Sequence, residues 1–427
     1  MKKTLSIIAL LLLGYFIYFF VGYTKKTPQS VLDSFPKTPI DKSKSAQFIS
    51  DATPKRKVVL SGNNWEGTIT IFDPSTFEVI KTISAVPDLQ ERMDEIYAGG
   101  KRKVMVSMIR NIIGEGHDQM VDDMFTSNDG KYIFVSRPSF SDVIALDVNS
   151  GEIFWRCPVE GFRSDHSAIS PDGKVFLVSA STAKKVLAID TQTGKVINSF
   201  PTGDQPHENI YSADGNRIYH ASVGKIFIKP PFLDFVKGDR FFQIVDAKTY
   251  KVLRQIDLKP RLKAAGYDFK DHSIRPMAIT PDEKFAYFQI SLFHGIVEYD
   301  IENDKITRKL DLPIPEAVKN VTINNSAHHG LSIDGSGEIL CAAGTVSGYV
   351  ALIDRKTFAF DTIRLTENPL GSKPYWVTAS ADGTQFYVSQ SERDLVSVID
   401  PKAKKIIANI PVGDHPQRVR SGELRLQ

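Results

Sequence analysis

Cysteine is nearly missing from this chain: its 427 residues include two, Cys157 and Cys341. Two thiols so far apart exclude a disulfide framework, and without a C-x-x-C-H there is no signal for covalent haem. Buried thiols in strands are the expectation. Charge of one sign is also lacking. The net charge is +3 and no basic stripe alternates with aromatics, so nucleic acid is not the expected partner. There is no P-loop, no dinucleotide fingerprint and no nucleophile elbow, which "GLSIDG" misses by one residue. A composition of 42% apolar and 24% charged residues nevertheless supports a large core, as two or three domains or as one repeat fold.

One long apolar run is present, in "MKKTLSIIALLLLGYFIYFFVGYTKK". About twenty mostly apolar residues lie there between two lysine pairs, enough to span a bilayer as a helix. The run is longer than a signal-peptide core and has no obvious small-residue cleavage site. Residues 1–24 therefore read as an uncleaved membrane anchor, with Tyr15, Phe16, Tyr18, Phe19 and Phe20 suited to the interface. The body is expected on the extracytoplasmic (periplasmic) side. No Cys follows the run, which argues against a lipoprotein. Residues 25–56, rich in Lys, Ser, Thr, Pro and Asp, have the composition of a flexible linker, and folding is expected over 57–427.

That region repeats. A β-rich run ending in Asp, then a turn and a second strand, recurs seven times, at Asp73, Asp147, Asp190, Asp246, Asp300, Asp354 and Asp400. An Asp side chain can hydrogen-bond its own turn, which explains the residue type. Most copies are preceded by another hairpin, as in "SAISPDGKVFLVSAS" and "VTASADGTQFYVSQS". Four strands per unit, with spacings of roughly 43 to 56 residues after a longer first gap, predict an all-β, seven-bladed β-propeller. The first unit lacks its opening strand; "HPQRVRSGEL" near the C-terminus is expected to supply it and close the ring. Residues 170–203 and 380–413 resemble the YVTN-repeat β-propellers found in many exported prokaryotic proteins. The resemblance covers nearly all of 57–427. It implies the fold and leaves function open, because such propellers bind ligands, bind partners or catalyse.

Function must then come from the channel. Aligning the blades on their Asp-Gly turns and reading back seven residues gives a column of Asp122, Asp165, His207, Arg275, His329, Tyr375 and Gln417. The next column is Asp123, His166, Glu208, Pro276, Gly330, Trp376 and Arg418. Strand alternation should send only one of each adjacent pair into the channel, unless the strand has not yet begun. Imidazoles and carboxylates converging on one mouth are what a divalent metal or an acid/base pair requires. A wet channel is polar whatever its function, and the YVTN repeat often carries Pro-His here, so the number of His-acid pairs is the informative feature. "PHEN" itself is no zinc-protease motif, since Tyr211 stands where the second His belongs.

The candidate site therefore comprises His207, Glu208, Asp165 and Arg275 as catalytic groups, with Arg275 suited to a carboxylate. Asp122, Asp123, Tyr375 and Trp376 are the expected ligand contacts, and His166, His207, His328 and His329 the metal ligands. His220 and His294 read as ordinary strand or loop residues, Trp65 and Trp155 as sheet packing. The long connections 86–116, 224–240, 258–274 and 312–327 all belong to one propeller face, the face of a binding site. The first has helical spacing and reads as a cap, the second as an aromatic lid. Two functions follow: a membrane-tethered propeller binding a small molecule or an extracytoplasmic protein at its mouth, or a metal-dependent lyase or hydrolase using the same cluster.

Overall fold

A computed structural model describes Gly14 and residues 53–427, except 229, 230, 322, 324 and 325. Seven four-stranded antiparallel sheets form the blades of a propeller. Their innermost strands are Pro416–Leu424 (blade I), Met124–Thr126 (II), Ser164–Ile169 (III), Pro206–Tyr211 (IV), Ile274–Ile279 (V), Leu331–Ile333 (VI) and Pro374–Ala379 (VII). Each of these touches the next around the ring. Blade I is closed as expected: Pro416–Leu424 pairs antiparallel with Arg56–Asn63, and Thr68–Phe72 and Val79–Ser84 complete the sheet.

The turns follow from the repeat. All seven repeat aspartates accept a backbone N–H from the turn they open, from Ser75 to Asp73 (2.8 Å) round to Lys402 to Asp400 (2.8 Å). In blades II to VII the turn after the inner strand is held by a hydroxyl–Asp pair, such as Ser170–Asp172 and Ser380–Asp382, both 2.6 Å, with Thr280 as the donor in blade V. Its fourth residue is left-handed, with φ near 70° at Gly173, Gly215 and Gly383, hence the glycine. Blade VI reverses the pair, Ser336 donating to Asp334, and blade V places Glu283 at the left-handed position.

The core lies between blades. Seven apolar clusters each join neighbouring sheets, for example Phe134, Val143, Phe176 and Val178 between blades II and III. An eighth, with Met93, Ile96, Val106 and Phe140, packs the cap predicted for 86–116. The cap is two helices, α1 (Leu89–Ala98) and α2 (Gly100–Ile112). Leu89, Arg92, Met93 and Ile96 are buried, the i, i+3, i+4, i+7 face of an amphipathic helix. Among the described residues no helix is long and apolar enough to cross a membrane. The expected anchor lies outside them apart from Gly14, and the expected linker apart from 53–56. The strand begins at Arg56, on the face that carries the inner-strand turns; Lys55 bonds the Asn128 carbonyl there. We call this face the bottom. The cap and the other long connections are on the opposite, top face.

Candidate functional site

The residues of the first column, Asp122, Asp165, His207, Arg275, His329, Tyr375 and Gln417, line one chamber at the top of the channel. His166 and Arg418 of the second column join them. The chamber measures about 30 Å³, room for one water molecule or the head group of a ligand.

Strand alternation fails here for a structural reason. Ser164 pairs with Ala180 and Ser167 with Val178, so Asp165 and His166 together oppose the single residue Ser179. The same two-against-one bulge falls on His207–Glu208, Arg275–Pro276, Tyr375–Trp376 and Gln417–Arg418. A bulge re-aims side chains, so adjacent residues can both reach the channel at different depths. Side chains of the second strand brace the arrangement from the preceding blade: Ser136 Oγ donates to the Asp165 carbonyl (3.0 Å), Ser179 to that of His207 (2.8 Å) and Ser389 to that of Gln417 (2.8 Å).

Three imidazoles meet in the chamber. The rings of His166 and His207 are 3.7 Å apart, and His329 lies 6.0 and 5.6 Å from them. One ligating atom from each falls within 4.8 Å of the others, and Asp122, Asp165 and His166 form a second such group. Burial, then neighbouring cations or imidazoles, hold all three histidines well below their usual pKa, so they are neutral. Nδ1 of His166 faces Glu208 Oε2 at 2.7 Å, and its Nε2 accepts from Nη2 of Arg418. Arg418 also pairs with Asp122 (3.2 Å) and lies 4.3 Å from the Trp376 ring centroid. Burial lifts Asp122 to about 6 against the pull of Arg418, and lifts Glu208 to about 8. Arg163 binds Asp165 (2.5 Å) and Gln119 (2.7 Å), and Arg275 donates to Ser291 (2.7 Å). His329 stacks on Tyr375 at 4.2 Å.

Some expected residues lie elsewhere. His328 points away from the chamber, against His294 (5.6 Å) and Tyr349 (6.0 Å), so it is no part of the three-histidine group. Asp123 is fully buried and held by both Nε and Nη2 of Arg420, each at 2.8 Å. Glu208 and Trp376 line the channel below the chamber. Trp65, expected to be sheet packing, lines the mouth, stacked between His117 (3.8 Å) and His415 (3.6 Å). The cap contributes Gly114 and Glu115, the latter paired with Lys373 (2.9 Å), and the predicted lid contributes Ile226. Trp65, Arg163 and His415 line the chamber without any sequence signal for it, and Arg418 gains a role there. Arg418 did stand in the second column; the others lie in connections outside any column.

No protein-family model matches this sequence, and no curated protein matches it. Among solved structures it is similar to a chain titled Kuenenia stuttgartiensis hydrazine synthase, with a TM-score of 0.53 and 16% identity over 69% of this chain and 88% of that one. At that identity the likeness extends to the fold alone: the chain is a seven-bladed β-propeller.

Proposed function

We propose that this protein is a binding propeller whose top chamber takes the anionic head of a small molecule or of a partner's side chain. The carrying observation is a concentration of unpartnered polar atoms on buried residues that line the chamber: Nδ1 of His207 and His329, Oδ2 of Asp122, Nε of Arg163, and Nε and Nη1 of Arg418. Buried polar groups are normally satisfied, so such a set marks a place completed by something bound. Of the three carboxylates in the lining, Glu115 is paired with Lys373 (2.9 Å); the guanidinium groups of Arg163, Arg275 and Arg418 then stand against Asp122 and Asp165, a balance that favours an anion. Arg275, at the mouth, suits a carboxylate. The long apolar run in the sequence supports tethering to a membrane on the extracytoplasmic side. Since the first strand begins on the bottom face, such a tether would join the propeller on the face opposite the mouth. The repeats quoted above support kinship with YVTN propellers. Malonate should raise the melting temperature of the wild type saturably and that of Arg275→Met much less; equal shifts would remove this reading.

A second reading rests on the three clustered imidazoles. His166, His207 and His329 offer the neutral nitrogen donors that suit a divalent ion, and Glu208 orients His166 as a carboxylate behind a metal-bound histidine does. Such an ion would supply Lewis-acid chemistry to a lyase or hydrolase, with Asp165 within the lining as a base. Arg418, however, uses the Nε2 lone pair of His166 and would have to withdraw, which is why the anion reading comes first. Elemental mass spectrometry on protein purified without affinity metals decides between them. A stoichiometric metal, lost in His207→Ala/His329→Ala, would put the metal reading first.

A further inference from the structure

Below the chamber the channel changes character. His166, Glu208, Trp376 and Arg418 form a partition, and beneath it a cavity of about 570 Å³ extends to the bottom-face turns at Pro171 and Ala213. Its lining combines inner-strand apolar residues such as Ile169, Ile210 and Ile279 with the polar Ser167, Asn209, Ser332 and Thr378. Its volume is in the range of small-molecule pockets, about 300–1,000 Å³.

The upper end carries one well-placed cation. The Arg420 guanidinium is bracketed by the rings of Phe125 (4.8 Å) and Trp376 (4.9 Å). Asp123 takes its Nε and Nη2, fixing the plane of the group. Nη1 is not bonded to Asp123, and Arg420 lines the cavity, so this nitrogen is the donor available to a guest. Partly apolar walls, two aromatic rings and one oriented guanidinium nitrogen fit an apolar body with one accepting head.

We propose that the lower channel is a second binding site, separate from the mouth, for a small molecule with an apolar body and a carboxylate head that reaches Arg420. The chamber above, at about 30 Å³, is too small for such a body. The test is a fluorescence titration of the folded chain with naphthalene-2-carboxylate, with naphthalene-2-methanol as the neutral comparator. The wild type should bind the carboxylate saturably, one to one. Ala379→Trp, at a half-buried wall position, should weaken binding of both compounds about tenfold or more by filling the cavity. Arg420→Met with Asp123→Asn removes the ion pair as a unit, leaving no buried charge uncompensated. It should weaken the carboxylate about tenfold and the alcohol little, the value of one charge-assisted hydrogen bond. Arg275→Met, at the mouth, should leave both unchanged. Absence of saturable binding, indifference to Ala379→Trp, or weakening by Arg275→Met would each overturn the proposal. If the Arg420 variant does not fold, Ala379→Trp still decides.

Discussion

Glu208 brings a carboxyl group into the middle of the molecule, where burial outweighs Arg420 and Arg418 and lifts its pKa to about 8. An unfolded glutamate titrates near 4.5, so the folded state holds this proton more tightly. The stability this confers is complete below pH 4.5 and is lost as pH rises through 8. Buried neutral histidines act in the opposite sense. His220 and His328, lowered to about 3 by burial, cost stability as pH falls from 6.5 toward 3. Between pH 6.5 and 8 the two trends oppose each other, because the lowered histidines still gain stability while Glu208 loses it, so the glutamate is isolated by comparison with Glu208→Gln. Relative to Glu208→Gln, the unfolding free energy of the metal-free wild type in urea should drop by on the order of 1–2 kcal/mol over that interval. A difference between the two proteins that does not change with pH would show that Glu208 is already ionised. The sequence does not reveal that His207 faces the mouth while Glu208 faces the lower channel. "PHENIY" contains both residues, but the bulge that separates them is set by its pairing with Arg217–Ser222. His328 and His329 mislead in the same way: they are neighbours in sequence and only one enters the cluster.

Elements were legible where they repeat or have a period of their own. The spacing in "LQERMDEIYAGGKRKVMVSMIRNII" was enough to predict a helical cap. What holds α1 against blade II could not be read, because the contact spans about fifty residues. Arg137, fully buried, donates to Asp142 (2.8 Å), to Asp88 just ahead of α1 (2.5 Å) and to the Ala85 carbonyl (3.2 Å). Arg137→Met would leave the buried Asp142 and the half-buried Asp88 each short of one partner, at a cost of about 3 kcal/mol. Amides of residues 89–112 should then exchange faster than those of blades IV to VI, as read by hydrogen exchange. Uniform exchange across the chain would mean that the cap is not a separate unit. The bracing serines are a second element-scale device. Ser179 makes its bond to the His207 carbonyl across a blade boundary, so the shape of each bulge depends on the preceding blade.

For the whole molecule, the seven-fold repeat made the ring and its closure predictable, including the C-terminal strand of blade I. Without Pro416–Leu424 the edge of Arg56–Asn63 is exposed, and the chamber loses Gln417 and Arg418. A chain ending at Val412 should aggregate or melt without a cooperative transition, because an open array presents an unpaired edge. A soluble, cooperative truncation would show that closure is dispensable. Division of the channel into a small polar chamber and a larger, partly apolar cavity is not legible in the sequence, since it depends on inner strands from several blades. The account rests on the chamber as an anion site. Its most direct test is calorimetric titration of malonate into the wild type and into Arg275→Met. The account predicts saturable one-to-one binding that weakens about tenfold or more in the variant, the effect of losing one charged hydrogen-bonding group. Equal binding by both proteins, or none by the wild type, would contradict it.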